Sequence, residues 1–361
     1  MYARHSQAKS QWHLILQPTS AETRHSLKRM GYRPFPQTPL LLYATATDSQ
    51  KSTLFVALSQ TLSAVELTNT RCLMTRSPLD EPQILREFLY AQPLSKMAQA
   101  IEYGWFFRFL IENKWVFHYQ PIIDLATGKA IAHECLARAQ TEDGQLIYGE
   151  QLIRAAIATQ TLSDFDEIAY VSCLEAIANL KSAPGSLFFV NISPNTLLRM
   201  PNFVWQNQER VAALGLQPQQ IVFELTEVER LRQSHEILEA IAQLREQGFK
   251  IAIDDLFGCT VLDRYLLEFR PDIIKVDRRA IHGCSQHAMK RILLKSILSS
   301  AQELHCRVVA EGLETPEDIQ LCRHYGVDFG QGFGLAFPTD RLLQHALKGW
   351  PRACHIASTL Y

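Results

Sequence analysis

From Val116 onwards the sequence alternates between short apolar runs of β character and longer segments with a helical period. Most of the apolar runs are followed by a polar turn and then by ten or more residues of amphipathic helical pattern. Eight such strands over about 230 residues indicate a closed (β/α)8 barrel of the TIM type rather than an open doubly wound sheet. The predicted strands are 116–123, 130–137, 187–192, 220–225, 250–254, 272–276, 307–310 and 327–331.

The connection between the first two strands is too short to contain a crossover helix. Residues 124–129 read Asp-Leu-Ala-Thr-Gly-Lys, and a short turn with Thr-Gly joins neighbouring strands as an antiparallel hairpin. We therefore predict a modified barrel whose first strand runs against the others.

Most of these strands carry a polar side chain near the C-terminal end. Strand ends of this kind meet at one mouth of a barrel, and buried acids are costly unless they are paired or bound to a cation. The cluster therefore predicts a site for divalent cations, and its oxygen ligands suit Mg²⁺ or Mn²⁺ better than zinc. The side chains are Glu134, Asn191, Glu224, Asp254, Asp255, Lys275 and Glu311.

Two adjacent carboxylates, Asp254 and Asp255, end the predicted strand at 250–254. Neighbouring side chains of a strand point to opposite faces, so both can serve one site only if the chain bends here. Gly258 follows closely and can take a positive φ, which allows such a bend. Taken alone, the pair is more typical of an ordinary turn in which Asp255 caps a helix. The other polar strand ends favour the metal site.

Composition excludes some classes of function. The chain has 36 basic and 37 acidic residues, so no overall field attracts nucleic acid or an anionic membrane. Its eight cysteines are scattered without a Cys-x-x-Cys pair, which favours reduced thiols over a disulfide framework or a zinc site. No apolar run approaches 18 residues, and the N-terminus has no continuous hydrophobic region. We expect a cytoplasmic protein without a signal peptide or a membrane span.

The sequence predicts two segments before the barrel and a tail after it. Residues 1–93 read as a small α/β domain with strands at 12–17 and 40–45 and a helix at 21–30 entered from Ser20. A sensory, regulatory or dimerising role is expected. Residues 94–115 form a connecting helix, whose apolar stripe favours packing on the next domain over binding of a partner. The barrel spans 116–345 and a tail spans 346–361. The stripe comprises Met97, Ile101, Trp105 and Phe109.

Ordered motifs from about residue 117 to 338 resemble the EAL family of bacterial cyclic di-GMP phosphodiesterases. Each motif alone is weak evidence, but so many motifs in the right order make the probability of a chance similarity very small. The motifs are Tyr119-Gln120-Pro121-Ile122, Glu134-Cys135-Leu136 followed by Arg138, Asn191-Ile192-Ser193-Pro194, Glu224-Leu225-Thr226-Glu227, Asp254-Asp255, Lys275-Val276-Asp277, Ala310-Glu311-Gly312-Leu313-Glu314 and Gln331-Gly332-Phe333.

The resemblance implies hydrolysis of cyclic di-GMP to linear pGpG with two Mg²⁺ or Mn²⁺ ions, in a protein that forms a homodimer. Such ions would clamp the phosphodiester and stabilise the attacking and leaving oxygens of an in-line displacement. The implied metal ligands are Glu134, Asn191, Glu224 and Asp254 for the first ion, and Asp254 with Asp255 for the second. Glu311 is implied as a further ligand and proton acceptor.

Other roles follow from the same resemblance. Lys275 would position the water or the phosphate, although a structural salt bridge would also explain a lysine in an apolar strand. Arg138, taken alone, could be an ordinary surface arginine, and His133 next to Glu134 is expected to pack away from the mouth. The implied nucleotide contacts are Gln120, Leu136, Arg138 and Gln331. The residues implied to brace the loop after the paired aspartates are Glu227 and Glu314.

Two departures from the family pattern bear on activity. Cys135 replaces alanine beside Glu134, a small change that places a thiol near the site. After Asp255 the family continues Phe-Gly-x-Gly, whereas this chain continues Leu-Phe-Gly-Cys-Thr. Either Leu256 is an extra residue or Phe257 and Gly258 have both shifted by one position. The alternative functions are therefore an impaired effector that binds cyclic di-GMP and, less favoured, a scaffold acting through its N-terminal domain with a protein partner.

Overall fold

The computed structural model describes residues 11–79, 83–141, 143–180, 185–193, 196–197, 203–225, 235–256 and 269–346. The chain divides into two units. The first runs to Glu112 and also includes Arg154–Gln160, and the second comprises Asn113–Ile153 and the chain from Thr161 onwards. Among the described residues, no helix is long and apolar enough to cross a bilayer.

The first unit contains an antiparallel sheet covered by helices. Its strands are β1 (Gln11–Gln17), β2 (Arg33–Phe35), β3 (Thr38–Thr47), β4 (Arg71–Thr75) and β5 (Gln92–Pro93), in the spatial order β2-β3-β1-β4-β5. Its helices are α1 (Ala21–Arg29), α2 (Lys51–Thr61), α3 (Ala64–Asn69), α4 (Gln83–Glu87), α5 (Leu94–Glu102) and α6 (Gly104–Glu112). This βαββαβ order corresponds to a ferredoxin-like arrangement. It confirms the predicted small α/β region, and Ser20 caps α1 as expected, because its side chain accepts a hydrogen bond from the Thr23 backbone N–H.

The predicted single helix over 94–115 is two helices, α5 and α6. The break falls at Tyr103, whose backbone leaves the helical region before Gly104 begins α6. Leu94 and Ala98 of α5 are buried in the core of the first unit, and Met97 packs against the same core. The expectation that this stripe packs on the next domain is therefore wrong for α5, because the sheet of its own unit offers the apolar face that it covers.

The second unit is a closed barrel of eight strands. Its strands are β6 (Trp115–Asp124), β7 (Ala130–Gln140), β9 (Leu187–Ile192), β10 (Ile221–Leu225), β11 (Lys250–Leu256), β12 (Ile273–Val276), β13 (Arg307–Ala310) and β14 (Phe329–Gly330), with β8 (Leu146–Ile147) added beside β7. The described helices that follow β8 are α7 (Gly149–Ala158), α8 (Leu162–Ala178), α9 (Phe203–Ala213), α10 (His235–Glu246), α11 (Arg278–Ile281), α12 (Ala288–Glu303) and α13 (Pro316–His324).

The predicted direction of the first barrel strand is confirmed. β6 pairs antiparallel with both β7 and β14, whereas the pairs from β7 through β9 to β14 are parallel. The turn after β6 is held by Asp124, whose Oδ1 accepts hydrogen bonds from the backbone N–H groups of Ala126 and Thr127. Gly128 then takes φ +73°, which glycine adopts without strain. The strand direction therefore follows from a local turn.

Alternation along the strands separates two cores. Outward side chains, such as Phe223 and Leu225 of β10, pack against the helices, for example against Ile241 of α10. Inward side chains fill the barrel with a layer of apolar residues. That inner layer comprises Ile122, Ala132, Phe189, Val222, Ala252, Ile273 and Val309.

Candidate active site

A layer of polar side chains lies directly above the apolar layer inside the barrel. Side chains two positions apart on a strand share a face, so each inner apolar residue is followed, two residues nearer the mouth, by a polar one. We call this set the polar layer. It comprises Gln120, Glu134, Asn191, Glu224, Asp254, Lys275, Glu311 and Gln331, one from each of the eight strands or the residue that follows it.

The ammonium group of Lys275 lies at the centre of the polar layer. Its Nζ is 2.7 Å from Glu311 Oε1 and 3.3 Å from Glu134 Oε2, and it also contacts Glu224 Oε1. Asp254 Oδ1 is 3.5 Å away. The Lys275 side chain is only 1% exposed, so these carboxylates are its solvation shell. The surrounding carboxylates raise the pKa of Lys275 well above its usual range, although burial alone would lower it.

The four carboxylates around Lys275 exceed its charge. One ammonium among four carboxylates leaves three negative charges unbalanced when all of them are ionised. Burial and the neighbouring negative charge of Glu134 raise the pKa of Glu224 well above its ordinary value. Burial also raises the pKa of Glu311 to about 8, against the opposing effect of Lys275. Burial and the unbalanced negative charge therefore favour the protonated forms of these two carboxyl groups.

Amide side chains fix the orientation of Glu134. Gln331 Nε2 donates to Glu134 Oε2 at 2.6 Å and to Gln120 Oε1 at 3.1 Å, and Asn191 Nδ2 donates to Glu134 Oε1 at 3.3 Å. Burial acts to raise the pKa of Glu134, but Lys275 and the two amide donors together hold it below its ordinary value. Glu134 is therefore held in its ionised form, in contrast to Glu224 and Glu311.

Asp254 and Asp255 both reach the site because the strand bends between them. Asp255 adopts φ +57°, and the pairing of β11 with β12 shifts register between Ile253 and Leu256, as in a β-bulge. The bend that Gly258 was expected to allow therefore occurs three residues earlier, at Asp255 itself. Gly258 and the rest of the altered loop lie outside the described residues, whereas Leu256 is paired within β11.

Asp255 is also linked to a second aspartate. Partial burial and the negative charges of Asp254 and Asp277 raise the pKa of Asp255 to about 6, and Asp277 shares a hydrogen bond with it. Asp277 in turn accepts a hydrogen bond from the backbone N–H of Arg279 and pairs with the Arg279 side chain at 2.9 Å. The site therefore includes Asp277, which appears in the sequence motifs but was given no role there.

Two groups of carboxylates are close enough to hold a cation. Oxygens of Glu134, Glu224 and Glu311 lie within 4.8 Å of one another, and so do oxygens of Asp254, Asp255 and Glu311. Within the described chain, Glu224 Oε2 and Asp254 Oδ1 are buried without a hydrogen-bond partner, although Asp254 Oδ1 lies 3.5 Å from Lys275 Nζ. Orphaned carboxylate oxygens in an acidic pocket fit hard divalent cations, which take oxygen ligands. The two groups share Glu311, whereas the resemblance implies Asp254 as the ligand shared by two neighbouring ions.

The barrel also matches a known sequence family. The profile of the EAL domain family covers residues 105–338. The chain belongs to the EAL domain family. This result confirms the resemblance, because the matched segment contains every member of the polar layer.

Relatives of the EAL domain are named for a phosphodiesterase activity. The cyclic di-GMP phosphodiesterase PdeB of Shewanella oneidensis is 28% identical over 247 residues, which are 67% of this chain and 28% of that protein. The probable cyclic di-GMP phosphodiesterase PdeB of Escherichia coli K12 is 29% identical over 243 residues, 65% of this chain and 45% of that protein. The chain thus spans less than half the length of either relative.

A solved structure supports the fold of the EAL domain. The EAL domain of Xanthomonas citri FimX, in complex with cyclic di-GMP, aligns with a TM-score of 0.62 at 17% identity. The alignment covers 69% of this chain and 97% of that one. Likeness at this level of identity shows the fold, and it confirms the barrel deduced from strand pairing.

The remaining predicted residues of the EAL domain lie in different places. Leu136 and Arg138 follow Glu134 on the inner face of β7, and both are at least partly buried. His133 points the other way, where its ring stacks on Phe188 and bonds to the Leu343 carbonyl oxygen at 2.9 Å. The packing role expected for His133 is therefore what the structure shows.

Of the two residues predicted to brace the loop after Asp255, only Glu314 lies in the described part of the chain. Glu314 pairs with Arg278 at 2.9 Å and lies 3.6 Å from His282 Nδ1, so it anchors the segment after β12. Glu227 lies outside the described residues.

Cys135 is buried beside the polar layer, where burial and the nearby Cys173 raise its thiol pKa and make it a poor nucleophile.

Proposed function

We propose that this EAL domain hydrolyses cyclic di-GMP to linear pGpG with the help of divalent cations. The observation that carries the proposal is the polar layer, in which four carboxylates converge on one buried lysine and still have orphaned oxygens. The names of the relatives point to the same substrate and reaction. Opening the ring requires water to attack one phosphorus, after which the bond to the 3′ oxygen breaks.

The proposed metal ligands combine the family resemblance with the two carboxylate groups. By the resemblance, Glu134, Asn191, Glu224 and Asp254 would hold one Mg²⁺ or Mn²⁺ ion, and two of these, Glu134 and Glu224, form a group with Glu311 in the structure. The second group, Asp254, Asp255 and Glu311, would hold the second ion. Bound ions of this kind supply Lewis-acid stabilisation of the charge that develops on the phosphoryl oxygens.

The protein's own groups would orient the substrate and handle the proton. Burial raises the pKa of Glu311 to about 8 in the metal-free protein, so its carboxyl must first lose its proton before it can bind a cation or accept a proton from the attacking water. Lys275 presents a fixed positive charge for the phosphoryl oxygens or the water. Gln120, Leu136, Arg138 and Gln331 would contact the nucleotide.

Further features of the proposal concern the protein's setting. We place it in the cytoplasm, where cyclic di-GMP is made and used. We also propose a homodimer, with residues 1–93 as the regulatory part and a possible site for a protein partner. Glu227 and Glu314 would brace the loop after Asp255.

The activity test uses purified protein with cyclic di-GMP and either Mg²⁺ or Mn²⁺, with chromatography of the nucleotides. Wild type is expected to produce pGpG, and E134Q to lose at least about 100-fold in rate, because a first ligand has lost its charge. E317Q is the matched control, since Glu317 is an exposed carboxylate away from the polar layer. Absence of pGpG from wild type with either ion would refute the proposal.

The same experiment separates the alternative functions. Tight binding of cyclic di-GMP by calorimetry without any turnover would identify an effector in which the altered loop after Asp255 has abolished hydrolysis. Absence of both binding and turnover would favour a scaffold that acts through its N-terminal unit.

A further inference from the structure

The hairpin of β7 and β8 brings an arginine and a tyrosine together at the rim of the barrel. Ala139 lies opposite Ile147 in this antiparallel pair, so the next cross-strand position places Tyr148 opposite Arg138. The Arg138 Cζ atom is 5.1 Å from the centroid of the Tyr148 ring. This distance is within the range of a cation–π interaction.

The Arg138 guanidinium is buried with an unfilled donor. Arg138 is only 8% exposed, and its Nη1 donates to the Ala137 carbonyl oxygen at 2.8 Å. Its Nε has no hydrogen-bond partner in the part of the chain that the structure describes. A buried cationic donor without an acceptor is costly, and in a site it indicates that a ligand supplies the acceptor.

The position of Arg138 relates it to the polar layer. Arg138 and Glu134 are four residues apart on β7, so their side chains share the inner face, with Arg138 about 13 Å nearer the outside along the strand. An anion bound at the polar layer that extends towards the rim would meet this guanidinium. A dinucleotide with two phosphates has that shape and charge.

The backbone of Tyr148 is fixed at the start of α7. Its carbonyl oxygen accepts hydrogen bonds from the backbone N–H groups of Gln151 and Leu152, and its own N–H donates to the Gln151 side chain. The side chain is 55% exposed, so burial of an apolar ring does not explain its placement. The backbone that carries the ring is therefore fixed, and the ring lies within cation–π distance of the Arg138 guanidinium.

We propose that Tyr148 is a positioning residue, which holds the Arg138 guanidinium at the rim so that its free N–H groups bind a phosphate of the cyclic dinucleotide. The inference rests on the proposed function, because it assigns a second contact point for the same substrate. A guanidinium donates from the edge of its plane, so a ring against its face leaves the edge available to an oxyanion. A flat aromatic ring is required, whereas the Tyr148 hydroxyl is not.

The test compares Y148F, Y148L, R138A and the double variant R138A/Y148L in steady-state hydrolysis of cyclic di-GMP with Mn²⁺. We expect Y148L to raise KM about fivefold with kcat changed less than about twofold, because a cation–π contact aligns the ground-state ligand. Y148F should retain most of the affinity. In the R138A background, Y148L should cause no further loss, because its effect acts through Arg138.

Several results would overturn the inference. They are an unchanged KM in Y148L, equal losses in Y148F and Y148L, or additive losses in the double variant. Thermal unfolding of each variant guards against a general loss of structure, and Y148L keeps the bulk of the side chain. If wild type binds without turnover, the same comparisons apply to Kd from calorimetry. If wild type neither binds nor hydrolyses cyclic di-GMP, the proposed function fails together with the inference. If wild type is active and Y148L has the same KM, the inference alone is refuted.

Discussion

Lys275 is buried among carboxylates because the polar layer needs a positive charge whether or not metal ions are bound. An ammonium group in the barrel interior would be very costly on its own, but Glu311, Glu134 and Glu224 all lie in contact with it. The same contacts couple the structural role of this lysine to the catalytic role proposed for it. Its loss should therefore be visible in stability as well as in activity.

We expect K275M to lower the free energy of unfolding of the metal-free protein by about 3–5 kcal/mol, because it leaves buried carboxylates without a partner. Adding Mn²⁺ should recover part of the loss, since a bound cation stabilises the folded state. Urea denaturation in EDTA and in Mn²⁺ measures both effects. K129M is the control, because Lys129 is exposed. Equal stability of K275M and wild type in EDTA would contradict the expectation.

Metal affinity should depend on pH through the carboxyl groups whose pKa values are raised. Glu311, with a pKa of about 8, and Asp255, with a pKa of about 6, are protonated below those values and must lose the proton to bind an ion. We therefore expect Mn²⁺ affinity to rise between pH 6 and pH 8. The rise should reach up to about tenfold per pH unit for each proton that is released when the ion binds. Calorimetry in two buffers of different ionisation enthalpy counts the protons released.

E311Q provides the control for this pH dependence. Without the Glu311 carboxyl, fewer protons should be released at pH 7 and the change in affinity between pH 6 and pH 8 should shrink. An identical Kd for wild type at both pH values would show that these carboxyl groups are not coupled to metal binding.

At the scale of elements, what could be predicted depended on whether a local signal existed. The hairpin at 124–129 fixed the direction of β6 through a turn within six residues, and the polar strand ends followed from strand alternation. Family motifs then assigned the polar layer. The bend at Asp255 was placed at Gly258 instead, because a positive φ is usually a property of glycine.

Elements with a weak local signal, or with none, were missed. β8 has only two residues and no alternation, so its pairing with β7, and with it the contact between Tyr148 and Arg138, could not be read from the sequence. A signal did exist in the Gly144 turn between two short runs, but it was too weak to fix a register. The place of β1 at the centre of its sheet depends on distant pairings and was equally hidden.

One buried carboxylate links α13 to the turn before α12. Asp318 Oδ2 accepts from the Gly283 N–H and Oδ1 from the Ser285 N–H, both at 2.8 Å. Burial acts to raise the pKa of Asp318, but these donors lower it to about 2. Because the folded pKa is below the unfolded value of about 3.9, the carboxylate stabilises the fold above about pH 4, and this contribution is lost as the pH falls towards 2.

We expect D318N to lower the free energy of unfolding by about 2 kcal/mol at pH 7. The amide is uncharged and has one acceptor oxygen, whereas the carboxylate accepts hydrogen bonds from two backbone N–H groups with its two oxygens. The difference from wild type should diminish as the pH falls below about 4. Urea denaturation at pH 7 and pH 3 measures it. E317Q, one residue earlier and exposed, should change stability by less than about 0.5 kcal/mol, and a similar loss in both variants would refute the role of Asp318.

At the scale of the whole molecule, each unit has its own apolar core. In the first unit, alternating side chains of β1 supply both faces of the sheet, with Leu14 and Leu16 towards one cluster and Ile15 towards another. In the second, the clusters lie inside the barrel and between barrel and helices. Separate cores predict that stability can be measured for the first unit alone, provided that the fragment includes all of its core.

A fragment of residues 1–112, which contains the first unit apart from its Arg154–Gln160 segment, should unfold cooperatively, whereas a fragment of residues 1–93 should not. The shorter one lacks α5, whose Leu94 is fully buried in the core, and losing such a residue typically costs 2–5 kcal/mol of a total of about 5–15. Thermal unfolding followed by circular dichroism distinguishes the two. L94A in the longer fragment should reproduce part of the loss, and equal cooperativity of both fragments would contradict this assignment of α5.

All side chains of the polar layer lie at the same level of the barrel, which limits where residues can be inserted into or deleted from the chain. Deleting one residue from β10 before Glu224 would turn this carboxylate outwards and bring an apolar neighbour to the site, and deleting two would restore the face but misplace the side chain by about 7 Å. Insertions and deletions should therefore be confined to the connections between strands and helices, and each strand should keep its length from the apolar layer to the mouth.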